Sequence, residues 1–268
     1  MKTRIITALV LVPLLVLVLL ADSPVIAAAV IVISAVGLYE FFKATGLSDK
    51  PFLCGVGYLA AAVVPLLGYI PKELWLTLGF LFMFLLFSAM LIQHKKVSVT
   101  DASMVVFAVI YIPVFLTGLL RIRELESGWI LIWLPFVGAF LTDTCAYFAG
   151  VFLGKHKLCP EISPKKTIEG SLGGILGCMA ACLLYGLLLE KVWELDVNYV
   201  SLGILGLLMS IVSQVGDLSA SIIKRTYGIK DYGKLFPGHG GILDRLDSVI
   251  MITPVVFIFL SAVGIFVK

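Results

Sequence analysis

Asp143, Asp217, Asp244 and Asp247 lie within or at the edge of long apolar stretches, where an ionised side chain is costly and marks a functional position by default. Their spacing is suggestive. Asp244 and Asp247 are three residues apart and would share one helix face. Asp217, Ser221 and Lys224 follow a four-then-three spacing that lines another stripe, and Asp143 and Tyr147 stand four apart on a third segment. Four carboxylates brought to similar depth repel one another unless a cation neutralises them. Mg²⁺ suits that role, because it accepts a few carboxylate ligands and leaves positions for substrate phosphates. The simpler alternative pairs each acid with a nearby base, Asp244 with Lys224 or Asp217 with Arg225. Convergence of all four beside two lysine-rich segments favours the metal. Glu40, alone at the end of its apolar stretch, reads as an interfacial residue.

The basic residues complement such a site. Lys155-His156-Lys157 and Lys165-Lys166-Thr167 offer charges and donors for phosphate, and Gly238-His239-Gly240-Gly241 allows backbone N–H groups to approach an anion. Taken singly, each of these runs also serves as an ordinary membrane-flanking anchor. Gly170, Gly173, Gly174 and Gly177 recur at helical spacing and suit close helix packing, within the chain or in a homodimer. The five cysteines form no CxxC pair; Cys178 and Cys182, four apart, read as packing rather than a zinc site.

The elements that must position these residues are set by composition. Of the 268 residues 60% are hydrophobic and 14% charged, with a mean hydropathy of +1.10. Soluble domains carry about 25% charged residues, so the surrounding solvent is lipid. Lipid offers no partner to exposed backbone groups, so the spans must be helices. About 20 apolar residues cross the hydrocarbon core, and nine segments qualify: 5–21, 25–42, 52–70, 74–93, 102–120, 129–153, 171–189, 200–223 and 248–267. The fold class is therefore all-α and polytopic. The basic, apolar amino terminus is expected to be an uncleaved first span, since many similar segments follow it.

An odd number of spans puts the termini on opposite sides. With the amino terminus inside, fifteen Lys and Arg residues fall in the cytoplasm, from Lys2 and Arg4 to Arg245. Lys72, Arg121, Arg123, Lys191 and Lys268 fall outside. The excess of positive charge inside sets that orientation. Two polar segments, 154–170 and 224–247, are long, and both are expected on the cytoplasmic side. Residues 1–125 read as an amino-terminal group of five spans and 126–268 as the region carrying the chemistry, the two forming one cooperative unit. No internal repeat or low-complexity stretch is evident, which weighs against an inverted-repeat transporter.

The run Ser221-Ile-Ile-Lys224-Arg225, then Lys230-Asp231, Gly233, Phe236-Pro237, His239-Gly240-Gly241 and Asp244-Arg245-Leu246-Asp247 resembles the signature of the phosphatidate cytidylyltransferase (CDP-diacylglycerol synthase) family. A second block, Asp143-Thr144, Ala146-Tyr147, Gly150, Gly154-Lys155, Ile162 to Thr167 and Glu169-Gly170, is similar to the family's upstream region. Cys145, Val151 and Ile168 depart from it at the periphery, where Gly, a basic residue and an aromatic are expected. The motif resemblance covers the second half of the chain; residues 1–125 match in hydropathy alone.

The resemblance implies an integral membrane enzyme, in the inner membrane of a bacterium, that joins CTP and phosphatidic acid into CDP-diacylglycerol and pyrophosphate at the cytoplasmic face. It implies Asp217 and Asp244 as leading Mg²⁺ ligands, Asp247 and Asp143 as further ligands or supports, and K⁺ as a candidate second ion. Lys224, Arg225 and Arg245 would take the triphosphate or the phosphatidate head group. Lys165, Lys166, Thr167 and His239 would close over CTP. Ser163, Ser221, Lys230, Asp231, Gly240, Gly241 and Tyr147 belong to the substrate-binding set without separable tasks. Expected partners are the two substrates, the bilayer and a homodimer mate by family analogy, with no nucleic acid. The competing readings are a CTP-dependent polyprenol-type kinase, which would release CDP, and a cation-coupled transporter.

Overall fold

A computed structural model describes residues 2–236, 238 and 240–267, with the backbone alone for residues 2–8. The chain divides into two compact units, Met1–Glu124 with Tyr227–Arg245 and Leu125–Thr226 with Leu246–Lys268.

The first unit opens with α1 (Lys2–Leu20) and α2 (Ser23–Ala44), separated by a turn at Ala21-Asp22. Pro24 sits in the first turn of α2, where its missing N–H costs no helical bond. Gly46 ends that helix in the left-handed region (φ +74°), which only glycine enters without strain. α3 (Pro51–Val63) runs into a 3₁₀ segment, Val64–Tyr69, and a second short one, Lys72–Leu74, leads into α4 (Trp75–Ile92). α5 (Val99–Val109) begins with a reciprocal cap: Ser98 Oγ accepts from the Asp101 amide at 3.2 Å, and Asp101 accepts from the Ser98 amide at 2.7 Å. A π turn, Ile110–Val114, separates α5 from α6 (Phe115–Arg123) and contains Pro113, whose ring cannot donate to the helical ladder. Leu38, Phe41, Leu53, Val105, Ile112 and Leu120 form the dry interior of this unit.

The second unit holds α7 (Gly128–Leu131), α8 (Leu134–Leu153), the antiparallel strands β1 (Lys157–Cys159) and β2 (Ser163–Thr167), α9 (Ile168–Trp193) and α10 (Tyr199–Thr226). The last helix, α11, runs Leu243–Ala262. Glycines bring these helices close. A Cβ on Gly173 would lie 2.2 Å from Ala149 Cβ, and one on Gly177 2.3 Å from Cys145 Sγ. One on Gly174 would lie 3.0 Å from the Thr142 carbonyl oxygen, so the glycine stripe of α9 is occupied by α8 of the same chain. It supports packing within the chain and lends nothing to a dimer contact. Gly206 admits Met179 and Cys182 of α9 against α10, and Gly216 admits Met251 of α11. Cys178 and Cys182 are buried and unoxidised, as packing residues.

Among the described residues, eight helices are long and apolar enough to cross a membrane, with a shorter apolar helix, Leu9–Leu20. The chain is an all-α multi-pass membrane protein, and two expected boundaries are revised. The last helix starts at Leu243 rather than at 248 and stops at Ala262, because residues 265–267 turn back to bond Asp196 and Asn198. The segment 154–170 is not an open loop; it folds into the β1–β2 hairpin. Within each unit, ends expected to share a membrane side do meet. Arg123 donates to the Ala21 carbonyl at 3.1 Å, Lys50 pairs with Asp101 at 2.5 Å, and the rings of Trp129 and Trp193 lie 5.6 Å apart.

Candidate active site

Three of the four aspartates belong to the second unit. Asp217 is half-buried in α10, Asp247 is buried in the second turn of α11, and Asp143 is exposed on α8. The close approach of α10 and α11 at Gly216 and Met251, with Ser248 Oγ donating to the Ser213 carbonyl at 3.4 Å, sets two acid-bearing stretches side by side. The charges of Asp217, Lys224 and Asp143 all act on the Asp247 carboxylate. Lys166, from β2, places its ammonium on the Asp217 carboxylate. The base that meets Asp217 therefore arrives from the hairpin, a partner that spacing along α10 does not show.

The hairpin is held by groups on both sides of it. Glu169, in the first turn of α9, accepts from the Lys155 amide at 3.1 Å and the His156 amide at 3.2 Å, and pairs with His156 Nδ1 at 2.6 Å. Thr167 is buried and caps α9, its Oγ1 accepting from the Gly170 amide at 3.1 Å. Gly150, Gly154 and Gly170 leave room for that side chain. Thr167 thus has a structural task alongside any contact with a nucleotide. Lys165 is exposed and Ser163 half-buried on the same strand. Tyr147 is 66% exposed on α8 beside the ring of Phe148. On α10, Ser221 and Lys224 are half-buried and Arg225 exposed.

Asp244 belongs to the first unit, with residues 227–245. It is buried, and its Oδ2 accepts from the Tyr232 amide at 2.8 Å and the Gly241 amide at 3.0 Å. Gly240 adopts φ +85°, and a Cβ there would lie 2.9 Å from Asp244 Oδ2, so glycine is required for both conformation and space. Phe236 and Gly240 form a short bridge, the Phe236 amide donating to the Gly240 carbonyl at 2.9 Å. Lys230, Asp231 and Arg245 are exposed around this loop. His239, expected over CTP, and Pro237 of the signature lie outside the described residues.

The residue that sequence reading undervalued is Glu40. It is 3% exposed, and its two carboxylate oxygens accept from the Ile242 and Leu243 amides, each at 3.0 Å. Nothing near Glu40 in the sequence announces those partners. Glu169 was visible only as a motif position, without its task.

Asp143, Asp217 and Asp247 fit Mg²⁺ in type, as hard carboxylate oxygens, with Asp217 and Asp143 both acting on Asp247 and Lys166 seated on Asp217. Among the described residues no three His, Cys, Asp or Glu side chains stand close enough to ligate one ion together. The arrangement offers anionic oxygens for a divalent cation and ammonium groups for phosphate, next to one another.

Comparison with known proteins identifies relatives of the chain. Residues 2–263 match the model of the cytidylyltransferase family. The phosphatidate cytidylyltransferase of Bacillus subtilis (strain 168) is 39% identical over 162 residues, 60% of this chain and 59% of that protein. That of Staphylococcus epidermidis (strain RP62A) is 39% identical over 178 residues, 66% of each. That of Staphylococcus aureus (strain COL) is 38% identical over 179 residues, again 66% of each. The matched region thus spans less than two thirds of each relative's length. With the family model covering nearly all of its residues, the chain belongs to the cytidylyltransferase family.

Proposed function

We propose that this chain is a CTP:phosphatidate cytidylyltransferase, an integral membrane nucleotidyltransferase of phospholipid biosynthesis whose site faces the cytoplasm of a bacterium. The observation that carries the reading is the seating of Lys166 on Asp217 where α10 packs against the Asp247 stretch of α11. A transferase that joins two phosphate anions needs that pairing of metal-binding oxygens with phosphate-binding cations.

In the reaction, a phosphatidate oxygen forms a bond to the α-phosphorus of CTP. The bond from that phosphorus to the oxygen bridging the β-phosphate breaks, and pyrophosphate leaves. A phosphate monoester is already ionised at neutral pH, so no general base is required. Lys166 and Lys224 hold and offset the triphosphate charge, and Arg225 and Lys165 extend the basic surface toward CTP or the lipid head group. Asp217 and Asp247 would contribute carboxylate oxygens to Mg²⁺, the substrate phosphates filling other positions, with Asp143 as a support and K⁺ as a second ion. Bound there, Mg²⁺ would neutralise phosphate charge and make the α-phosphorus more electrophilic. Glu169 and Thr167 keep the hairpin, and with it Lys166, in register with α9 and α10. A site at the membrane face lets phosphatidate keep its acyl chains in lipid while CTP arrives from water.

The test is pyrophosphate release by purified protein in mixed micelles with CTP, phosphatidate and Mg²⁺, with the lipid product identified by mass. A CDP-lipid is expected. Free CDP with a newly phosphorylated lipid would replace the transferase reading by a lipid kinase, and no turnover of CTP would remove both.

A further inference from the structure

Glu40 has no place in the signature, sits on α2 nearly 200 residues upstream of it, and is one of the most deeply buried charged side chains described. We propose that Glu40 is a positioning residue for nucleotidyl transfer: its carboxylate clamps the 232–243 loop and the start of α11, and so fixes Asp244 and Arg245. This inference rests on the transferase reading.

Three observations carry it. The first is where the charge goes. A carboxylate inside an apolar helix is costly unless paired or fully hydrogen-bonded. Among the described residues no Lys, Arg or His pairs with Glu40; its oxygens accept from the Ile242 and Leu243 amides, each at 3.0 Å. These are orphan donors at the start of α11, so Glu40 performs for that helix the capping task that a residue of its own chain segment usually performs. The negative charge at a helix amino terminus also favours the helix dipole.

The second is how the loop is shaped around it. A Cβ on Gly241 would stand 2.4 Å from both Glu40 oxygens, and one on Gly233 2.2 Å from Glu40 Oε1. Two glycines of the signature are therefore spaces for this carboxylate. The third is that the contact continues on both sides of Glu40 along α2. Phe41 stacks on Tyr232 (centroids 6.4 Å apart, planes at 24°), and Gly37 admits Leu243, whose Cδ2 would lie 3.1 Å from a Cβ there. The same loop gives its Tyr232 and Gly241 amides to Asp244. Adjacent amides, 241 to 243, are thus shared between a signature aspartate and an acid outside the signature, so displacing Glu40 must move the amide that Asp244 holds.

The experiment compares wild type with Glu40→Ala, Glu40→Gln and Gly241→Ala in the same detergent. It measures kcat and KM for CTP per folded molecule, thermal midpoint, and amide hydrogen exchange over residues 232–243 against α5. Glu40→Ala and Gly241→Ala are expected to lower kcat by about 10–100-fold, the range for supports of a reacting group, and to raise exchange in 232–243 but not in α5. Glu40→Gln keeps one acceptor and should recover part of kcat. Gly241→Ala reports on the clamp with Glu40 still in place if Glu40→Ala does not fold. Unchanged kcat and KM in folded Glu40→Ala, or exchange that rises equally in α5, overturns the proposal. If wild type turns over no CTP, the transferase reading fails, and the exchange measurement alone decides whether Glu40 holds the loop.

Discussion

Asp244 accepts two backbone hydrogens through a single oxygen, a task that an asparagine carbonyl can also perform. Asp244→Asn should therefore keep the loop and the folded protein while removing the charge, and turnover should fall by about 100-fold, at the upper end for changes beside a metal or phosphate site. Wild-type activity would exclude its charge from the chemistry. Lys166 and Asp217 form a half-exposed pair, and such pairs contribute about 0–1 kcal/mol to stability. Lys166→Met should accordingly leave the thermal midpoint within a few degrees and lower kcat/KM for CTP, read by pyrophosphate release. A parallel loss of thermal stability would make the pair structural instead. At this scale the acids of α8, α10 and α11 were legible because a carboxylate in an apolar run stands out on its own. Glu40 was equally visible as an acid, but its partners were not, because they are a pair of amides brought to it by folding.

The helices differ in how much their glycines matter, and the same substitution separates them. A Cβ at Gly173 meets Ala149 at 2.2 Å, whereas one at Gly79 on α4 meets nothing within 4 Å. Gly173→Ala should destabilise by roughly 1–3 kcal/mol, the cost of overpacking a close contact, and lower the thermal midpoint. Gly79→Ala should raise stability by about 0.5–1 kcal/mol, since alanine is the better helix former. Equal shifts for the two would contradict the α8–α9 contact. Helix existence was plain from hydropathy, since in lipid the backbone has no alternative. Helix ends were not. Nothing in the composition of 248–267 showed that α11 would begin at Leu243, because its cap is a side chain of α2. The β1–β2 hairpin escaped as well: its strands are three and five residues long, shorter than any periodic pattern can reveal, and it is held by Glu169 and Thr167 rather than by an apolar face.

For the molecule in its membrane, the distribution of Lys and Arg carries a prediction of its own. With the five native cysteines replaced by serine or alanine, a cysteine introduced at Lys157 should react with a membrane-impermeant maleimide in inside-out vesicles and not in intact cells, and one at Glu73 should show the reverse. The opposite pattern would invert the proposed orientation. Embedding in lipid and the helical form of the spans were determined by the sequence alone, because each depends on composition or on neighbours along the chain. The pairing of Lys166 with Asp217, the occupation of the α9 glycines by α8, and the seating of the 232–243 loop on Glu40 were decided by tertiary structure. Each joins residues distant along the chain, and no local spacing encodes which distant amide or ammonium a buried carboxylate will meet.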